Sequence, residues 1–381
     1  FGYFVPQLGD GRSCLIGEAN GYELSLKGAG TTPYSRGADG RAVLRSSIRE
    51  YLCSIAMEGL NIPTTEALAI VASDTDVYRE HVESGAIVTR VAKSHIRFGH
   101  FELFASRGQT AEVKKLADFV IDHYYPQLKG KDSYLQLFKT VIHSTAVMIA
   151  RWQAQGFAHG VMNSDNMSIL GLTIDYGPFS FMETYNPSFI CNHSDHQGRY
   201  SFERQPSVAL WNLDRLANAI RSLIDETHLK DALAEYEGFL VKEYSALMRQ
   251  KFGLVEVNED DSKLVNDYLQ LLYVHRKDYS LSMRILSKED NHMGSDFDSW
   301  FERYHQRLTQ EKIKPNQRQK SMDSVNPKYV LRNYLAEVAI RKAEDQYQYD
   351  EMDTLFNLLK NPFAEHKGFD SYAKEAPEWA K

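Results

Sequence analysis

The sequence predicts an α+β fold of two lobes, a small β-rich N-terminal lobe and a large helical C-terminal lobe, followed by a C-terminal helical extension. Short β-like runs broken by glycine-rich turns occupy residues 14–17, 22–27 and 86–91. From about residue 106, apolar residues recur instead at i, i+3 and i+4, the spacing of helices that bury one face. A chain of 381 residues has room for two to three domain-sized units, which we place at 1–105, 106–250 and 251–381.

One helix interrupts the β-rich region. The run that starts at Arg41 predicts a helix over residues 41–60, which Gly59 and the following Asn-Ile-Pro segment bring to an end. In the helical lobe, the apolar spacing predicts helices over residues 112–125, 134–155, 209–223 and 229–250. The extension continues in the same style, with helices predicted over residues 263–275, 296–310, 327–346 and 352–359.

The composition is that of an ordinary globular protein, with 43% hydrophobic and 25% charged residues. A net charge of −7 argues against nucleic acid as the partner. No run of about 18 apolar residues is present, so we expect no membrane-spanning helix. Cys14, Cys53 and Cys191 form neither a disulfide framework nor a zinc pattern, which suits a reducing compartment. Because the chain starts with Phe1 inside a glycine-rich motif, we expect that its natural N-terminus and any targeting signal are missing.

The segment HGVMNSDNMSILGLTIDYG at residues 159–177 is similar to the catalytic centre of a protein kinase with one part changed. Kinases use an H-R-D-x-x-x-x-N loop followed by D-F-G. Here Val161 stands where the catalytic-base Asp belongs, whereas Asn166 keeps the spacing of the metal-binding Asn and Asp175 begins D-Y-G in place of D-F-G. A chain that keeps the metal-binding side chains without the usual base is either inactive or performs different chemistry.

The oxygen atoms of Asn166 and Asp175 are the ligands that hard divalent cations prefer when they bridge phosphates. Asp165 is next to Asn166 and is the nearest carboxylate that can replace the missing base. The alternative for Asp165 is a structural role, because Asp often caps helices or bonds turns.

Other motifs in the N-terminal lobe fit a nucleotide site. Gly9 and Gly11, followed by Arg12, form either a phosphate-binding loop or a plain turn. Lys27 ends a strand-like run and Glu50 lies in the next helix, the order of the kinase lysine and glutamate whose ion pair holds the lysine against phosphates. The alternative for these two residues is a surface lysine and a solvated glutamate.

Arginines are prominent in the same lobe. Arg41, Arg45 and Arg49 recur every four residues on one helix face, a pattern that a solvated helix also shows. Arg90 ends the apolar run AIVTR, where a buried cation requires a partner, either a triphosphate or an internal salt bridge. Arg97 follows soon after.

The segment CNHSDHQGRYSF, which starts at Cys191, concentrates Cys, His and Asp within a few residues. Its spacing matches no standard zinc motif, which favours a hydrogen-bonded structural loop over a metal site.

Nearly the whole chain resembles the SelO (YdiU) family of protein-kinase-like nucleotidyltransferases, in the segments QLGDGR, LKGAGTTPYSRGADGRAVLRSSIRE, RVAKSHIRFGHFE, FAHGVMNSDNMSILGLTIDYGPF, FICNHSDHQGRYSF and VNPKYVLRNYLAE. Members look like pseudokinases that bind ATP in a flipped orientation. They transfer the nucleoside monophosphate to Ser, Thr or Tyr of proteins; adenylylation is common, and bacterial members also use UTP with manganese.

Carried over by position, the resemblance implies Mg²⁺ or Mn²⁺ at Asn166 and Asp175, with Asp165 as general base and Glu50 paired with Lys27. It also implies a nucleotide bound by Gly9, Gly11, Arg12, Lys27, Asp39, Gly40, Arg90, Arg97 and Asp175. The chain stops short of the C-terminal tail in which the family carries Cys or selenocysteine.

We therefore expect a monomeric protein adenylyltransferase that uses ATP, or UTP, in the bacterial cytoplasm, or in mitochondria if the source is eukaryotic. Two alternatives stay open. A conventional kinase would transfer the γ-phosphate, against which Val161 argues. An inactive nucleotide-binding scaffold is disfavoured by the position of Asp165.

Overall fold

A computed structural model describes residues 11–35, 37–288 and 293–380. Its N-terminal part is an antiparallel sheet of β1 (Ser13–Ala19), β2 (Tyr22–Lys27), β3 (Ala42–Val43), β4 (Glu66–Tyr78) and β5 (Val82–Ala92). β5 is central, because β2 and β3 pair with one of its edges and β4 pairs with the other. The predicted β-like runs all fall within β1, β2 and β5.

The sequence patterns did not predict β4. Its pairing with β5 shifts register between Ala67 and Ala69 and again between Ser73 and Asp76. Such bulges interrupt the alternation of apolar and polar residues by which a strand is recognised.

The helix α1 (Leu44–Gly59) packs against β4 and β5 and buries Ile48 and Leu52 completely. The predicted start of this helix at residue 41 is wrong, because Ala42 and Val43 pair with Ala86 and Gly85 of β5 and are extended.

The helical part that follows contains α2 (Phe98–Ser106), α3 (Thr110–Tyr124), α4 (Ser133–Gln155), α5 (Gln205–Ile220) and α6 (Glu226–Lys251). α4 packs on both α5 and α6, and its Phe138, Ile142 and Trp152 are buried in the largest hydrophobic core. Four of these helices agree with the predicted ones to within a few residues. α2 has only 9 residues, too few for a helical period to stand out.

Between α4 and α5 the chain forms the loop that positions the site. β6 (Phe157–Ala158) pairs with β7 (Ser180–Phe181), so the two ends of residues 159–179 lie side by side. Single bridges from Thr64 to Thr173 and from Arg97 to Ser168 fasten the loop to the N-terminal part. A 3-10 turn, Ser164–Asn166, lies inside it.

The C-terminal part contains α7 (Asp261–Val274), α8 (Tyr279–Ile285), α9 (Asp298–Leu308), α10 (Pro315–Asp323), α11 (Asn333–Gln346) and α12 (Asp350–Lys360). A second core, which includes Phe252, Tyr268 and Trp300, gathers the end of α6 with α7 to α10. In contrast, α11 and α12 pack on α1 in the first core.

Two differences from the predicted helices occur here. The helix predicted from residue 327 begins only at Asn333, because the backbone amides of Lys328 and Tyr329 donate to the Pro362 carbonyl at 2.8 and 3.1 Å. The sequence patterns also did not predict the short helices α8 and α10. Within the described residues, no helix has the length and apolar character needed to cross a membrane.

Candidate functional site

A cavity of about 740 Å³ lies between the sheet and the loop that follows α4. It brings together most of the residues that the sequence singles out: Gly11, Arg12, Lys27, Asp39, Gly40, Arg97, Asp165, Asn166 and Asp175. Glu50 and Arg90 are not among the lining residues, and Gly9 lies outside the described part of the chain.

Lys27, at the end of β2, joins three elements of the site. Its Nζ lies 2.6 Å from Glu50 Oε2 on α1 and 2.5 Å from Asp175 Oδ1 on the loop. Lys27 and Glu50 are buried, whereas the Asp175 side chain remains 31% exposed and faces the cavity. The charge of Lys27, with those of Arg97 and Arg12, holds the pKa of Asp175 well below its usual range. Asp175 is therefore ionised at neutral pH.

His159 holds the two ends of the loop in place. Its Nε2 donates to the Ile174 carbonyl at 2.9 Å, and its Nδ1 accepts from the Val161 amide at 3.4 Å. One donating and one accepting nitrogen require a neutral ring, and burial accordingly lowers the pKa of His159. This brace helps to hold Asp175 in a left-handed backbone conformation (φ 61°), which is uncommon for a residue other than glycine.

Asn166 and its neighbours form the other wall. Asn166 Nδ2 donates to the Val161 carbonyl at 2.9 Å, which leaves its Oδ1 as the amide atom available to a ligand. Asn163 also lines the cavity, and its Oδ1 is buried without a hydrogen-bond partner. Arg97 Nη1 donates to the Asp165 carbonyl at 2.7 Å and so fixes the backbone that carries the predicted base.

The segment around Asp39 forms the rim of the cavity. Two hydrogen bonds from Arg79, at 2.8 and 3.1 Å, and one from the Arg41 amide lower the pKa of Asp39 to about 2. Gly40 has a φ of 64°, and a Cβ there would lie 2.0 Å from the Gly30 carbonyl oxygen, so only glycine fits. The ion pair of Asp39 with Arg79 thus fixes the rim of the cavity, and the sequence analysis did not identify Arg79.

Arg90 occupies a buried place behind the cavity. Its Nε lies 3.6 Å from Glu50 Oε1, its Nη2 donates to Thr65, and its guanidinium lies 5.5 Å from the centre of the Tyr176 ring. Its Nη1 is buried without a hydrogen-bond partner. Of the two partners considered for Arg90, the structure shows the internal ion pair.

The three arginines of the α1 region separate in the structure. Arg41 lines the cavity, Arg45 pairs with Glu83 at 3.0 Å, and Arg49 donates to the Phe179 carbonyl at 2.9 Å. The triplet is therefore not one phosphate-binding face.

Sequence reasoning also missed Glu23, His95 and His100, which line the cavity. His95 Nδ1 lies 3.0 Å from Glu23 Oε2, and burial lowers the pKa of His100 to about 4. Glu23 lies in none of the family segments quoted above, whereas His95 and His100 lie in RVAKSHIRFGHFE, where only Arg90 and Arg97 were assigned a role. Asn163 lies within HGVMNSDN at residues 159–166, the start of the kinase-like segment, and that segment was the available signal.

The loop that starts at Cys191 is a hydrogen-bonded support for the site. Asp195 accepts from the amides of Arg199 and Tyr200 at 3.0 and 2.7 Å, and Asn192 Nδ2 donates to the Gly160 carbonyl at 3.0 Å. Across the described residues, no group of three or more His, Cys, Asp or Glu is arranged to hold a metal ion.

The sequence is similar to known proteins over its whole length. The sequence model of the family "Protein adenylyltransferase SelO" matches residues 1–360. A relative from Thiobacillus denitrificans named "Protein nucleotidyltransferase YdiU" is 50% identical over 400 aligned positions, which cover all of this chain and 82% of the relative. A relative of the same name from Vibrio vulnificus is 51% identical over 403 positions with the same coverage.

Because these relatives match the whole chain, the protein is a transferase that acts on nucleotide and protein substrates. The chain belongs to the SelO family and is an enzyme of the protein nucleotidyltransferase class.

Proposed function

We propose that this enzyme transfers AMP from ATP to Ser, Thr or Tyr hydroxyls of proteins and releases pyrophosphate. The observation that supports the proposal best is the placement of Lys27, Asp165 and Asp175 in one cavity, while Val161 occupies the usual position of a kinase base. The cavity thus contains a cation, a metal-binding carboxylate and a carboxylate that can act as base, but no carboxylate at the position of the base that kinases use for γ-phosphoryl transfer.

The proposal includes a protein-kinase-like two-lobe arrangement, with an N-terminal lobe at 1–105, a helical lobe at 106–250 and a helical extension at 251–381. The ion pair of Lys27 with Glu50 supports it, because a kinase lysine makes this pair in an assembled site, and Asp175 of D-Y-G lies beside the same lysine. The named relatives are bacterial, which supports a cytoplasmic location.

The polyphosphate would bind to the cationic side of the cavity. Arg12, Lys27 and Arg97 line it, and guanidinium groups bind phosphate oxygens through two parallel hydrogen bonds. Gly11 and Gly40 leave room for the backbone to approach the nucleotide closely.

The residues present fit a hard divalent cation, either Mg²⁺ or Mn²⁺. The ionised Asp175 carboxylate and Asn166 Oδ1 provide oxygen ligands, and the buried Asn163 Oδ1 has an unmet need for a positive partner. When bound, the ion would neutralise charge on the phosphates, which is a main catalytic demand of such transfers.

Asp165 would accept the proton of the substrate hydroxyl. The hydroxyl oxygen of the substrate would attack the α-phosphorus of ATP, and the bond from that phosphorus to pyrophosphate would break. Lys27 and Arg97 would stabilise the negative charge that develops on the transferred group and on the leaving pyrophosphate. The hydrogen bond from Arg97 to the Asp165 carbonyl keeps the base next to these cations.

Incubation with ATP labelled at the α or the γ position tests the proposal. Label that enters protein from the α position alone is the expected result. Label from the γ position alone would mean a conventional kinase, and label from neither position, with several candidate protein substrates present, would favour a nucleotide-binding scaffold.

Replacement of Asp175 by alanine tests the metal site. Asp175→Ala removes the ionised oxygen ligand, so we expect transfer and metal-dependent nucleotide binding to be lost, as measured by label transfer and by calorimetric titration with ATP and Mg²⁺. Asp74→Ala, which changes an exposed carboxylate on β4 outside the cavity, is the matched control and should leave both unchanged. Near wild-type activity of Asp175→Ala would show that the metal is bound elsewhere.

A further inference from the structure

A second, separate cavity of about 340 Å³ lies beside α5. Arg199, Arg204 and Trp211 are among its lining residues. Together with Arg215, whose guanidinium lies near the Trp211 ring, we call them the arginine–tryptophan patch. The guanidinium carbons of Arg199 and Arg215 lie 4.6 and 5.4 Å from the centre of the Trp211 ring. The aromatic face therefore holds two cations in fixed positions.

The positive charge of the patch is largely uncompensated. Arg215 pairs with the adjacent Asp214, whereas within the described residues neither Arg199 nor Arg204 has a carboxylate within 4 Å. Arg199 Nε is buried without a hydrogen-bond partner, and Arg204 Nη1 donates to the Gly198 carbonyl at a long 3.3 Å. On a chain of net charge −7, two arginines of one patch, Arg199 and Arg204, that lack a carboxylate within 4 Å among the described residues indicate an anionic partner.

The patch adjoins the loop that carries the proposed base. Asn212, which follows Trp211, donates to the Met162 carbonyl at 2.8 Å. Glu102 on α2 hydrogen-bonds to Ser164 and lies within electrostatic range of both Asp165 and Arg215. A polypeptide whose hydroxyl reaches Asp165 would therefore pass near the patch.

We propose that the arginine–tryptophan patch is the docking surface for the protein substrate and that it binds Asp or Glu side chains next to the acceptor hydroxyl. This inference rests on the proposed function, because it requires a hydroxyl of a polypeptide at Asp165. Guanidinium groups bind carboxylates through paired hydrogen bonds, and complementary charge at an interface sets specificity and association rate.

Single-stranded nucleic acid is the other polymer that arginine and aromatic side chains bind. The acidic net charge of the chain disfavours it, and the family of the enzyme acts on protein. An oligonucleotide is therefore included in the test as a competitor.

The first experiment measures binding without nucleotide. The probe is a fluorescein-labelled peptide with one Ser flanked by four Glu on each side, and the control peptide has Lys in place of Glu. Arg199→Glu/Arg204→Glu should weaken binding of the acidic peptide by about tenfold, and addition of salt should weaken binding to the wild type. The matched control is Lys320→Glu/Lys367→Glu, which reverses the same charge on exposed residues of the C-terminal part and should bind like the wild type.

Arg204→Glu alone is a variant that should fold normally, because among the described residues the one hydrogen bond of this exposed side chain is the long contact to Gly198. It should weaken acidic-peptide binding by about threefold without a change in melting temperature. The inference is overturned if the wild type binds the acidic peptide no better than the Lys peptide. It is also overturned if both arginine variants bind like the wild type, or if an unlabelled 15-mer of deoxythymidine displaces the peptide at lower concentration than the unlabelled peptide itself.

The second experiment separates this inference from the proposed function. Transfer of α-label from ATP to the two peptides should show a higher kcat/KM for the acidic one, and Arg199→Glu/Arg204→Glu should lose this preference mainly through KM. Binding that depends on the patch, without any transfer of α-label, would contradict the proposed function and leave the docking surface standing. Transfer with equal preference in wild type and variant would contradict the docking surface alone.

Discussion

Asp165 is the residue on which the chemistry of this site depends most. Its carboxylate lines the cavity, its carbonyl is held by Arg97, and Val161 at the usual base position has no group that can accept a proton. We expect Asp165→Asn to keep the fold and nucleotide binding but to slow transfer by about 10²- to 10⁴-fold, the usual contribution of a general base.

Single-turnover transfer, measured together with the melting temperature, tests the role of Asp165. A purely structural Asp165 would tolerate Asn, because Asn caps turns about as well as Asp, and the rate would then stay within a few fold. Loss of activity together with a lowered melting temperature would likewise mean a structural role.

Arg90 acts on the site through Glu50. It contacts Glu50 Oε1, whereas Lys27 contacts the other carboxylate oxygen, Oε2. Arg90→Met should destabilise the fold by about 3 kcal/mol, because it removes one member of a buried ion pair. It should also reduce transfer, because Glu50 would no longer be held against Lys27.

A double-mutant cycle distinguishes this route from direct contact with phosphate. If Arg90 acts through Glu50, Arg90→Met should cost much less activity in a Glu50→Gln background than in the wild type. Equal losses in both backgrounds, with equally weakened ATP binding, would instead mean that Arg90 reaches the nucleotide.

At the level of single residues, the sequence identified side chains whose order along the chain is itself the signal. Lys27, Glu50 and Asp175 follow the kinase order, and in the structure Lys27 Nζ lies within 2.6 Å of a carboxylate oxygen of each of the other two. Arg79 and His95 match no kinase motif, and their carboxylate partners, Asp39 and Glu23, lie 40 and 72 residues away in sequence. Arg90 was ambiguous because a buried cation requires some partner, and sequence alone does not say which.

At the scale of elements, α1 connects the site with the C-terminal helices. Glu50 lies in its middle, and Gly59 at its end lies so close to α12 that a Cβ would be 2.0 Å from the Leu359 carbonyl oxygen. The position of α12 therefore limits how far α1, and with it Glu50, can move relative to Lys27.

Gly59→Ala tests this contact. We expect it to destabilise the protein by about 1–3 kcal/mol, because backbone on one side or the other must shift, and to lower transfer through Glu50. The control is Gly238→Ala in α6, where a Cβ would meet nothing within 4 Å. That change should stabilise by about 0.5–1 kcal/mol, the helix propensity of alanine over glycine. Thermal melts of both variants measure the difference, and similar shifts would contradict the tight contact.

Elements were predictable where local sequence decides them. The apolar stripe of α4 gave its bounds almost to the residue, because burial of one face repeats every turn. β3 and the first residues of the helix predicted from 327 were assigned wrongly, because pairing with β5 and hydrogen bonds to Pro362 override local preference.

At the scale of the whole molecule, Lys251 at the end of α6 joins parts that belong to different cores. Its ammonium donates to Gln155 Oε1 at 2.8 Å, to the Val325 carbonyl at 3.2 Å and to Asn326 Oδ1 at 3.3 Å. All three acceptors are neutral, and burial lowers the pKa of Lys251 to about 7. The hydrogen bonds hold α4, α6 and the segment after α10 together, while the buried charge itself is costly.

This lysine should make the stability of the whole chain depend on pH. Its pKa is about 7 in the folded state against an ordinary value of 10.5, so between these values the unfolded chain binds more protons and the free energy of unfolding rises with pH. From pH 7 to pH 9 the gain from Lys251 should be about 2 kcal/mol. Denaturant unfolding of the wild type and of Lys251→Met at both pH values measures it, because Met removes the titrating group and should remove that part of the rise. The same pH dependence in both proteins would show that Lys251 keeps an ordinary pKa, and that its three neutral acceptors and the surrounding protein solvate the charge as well as water does.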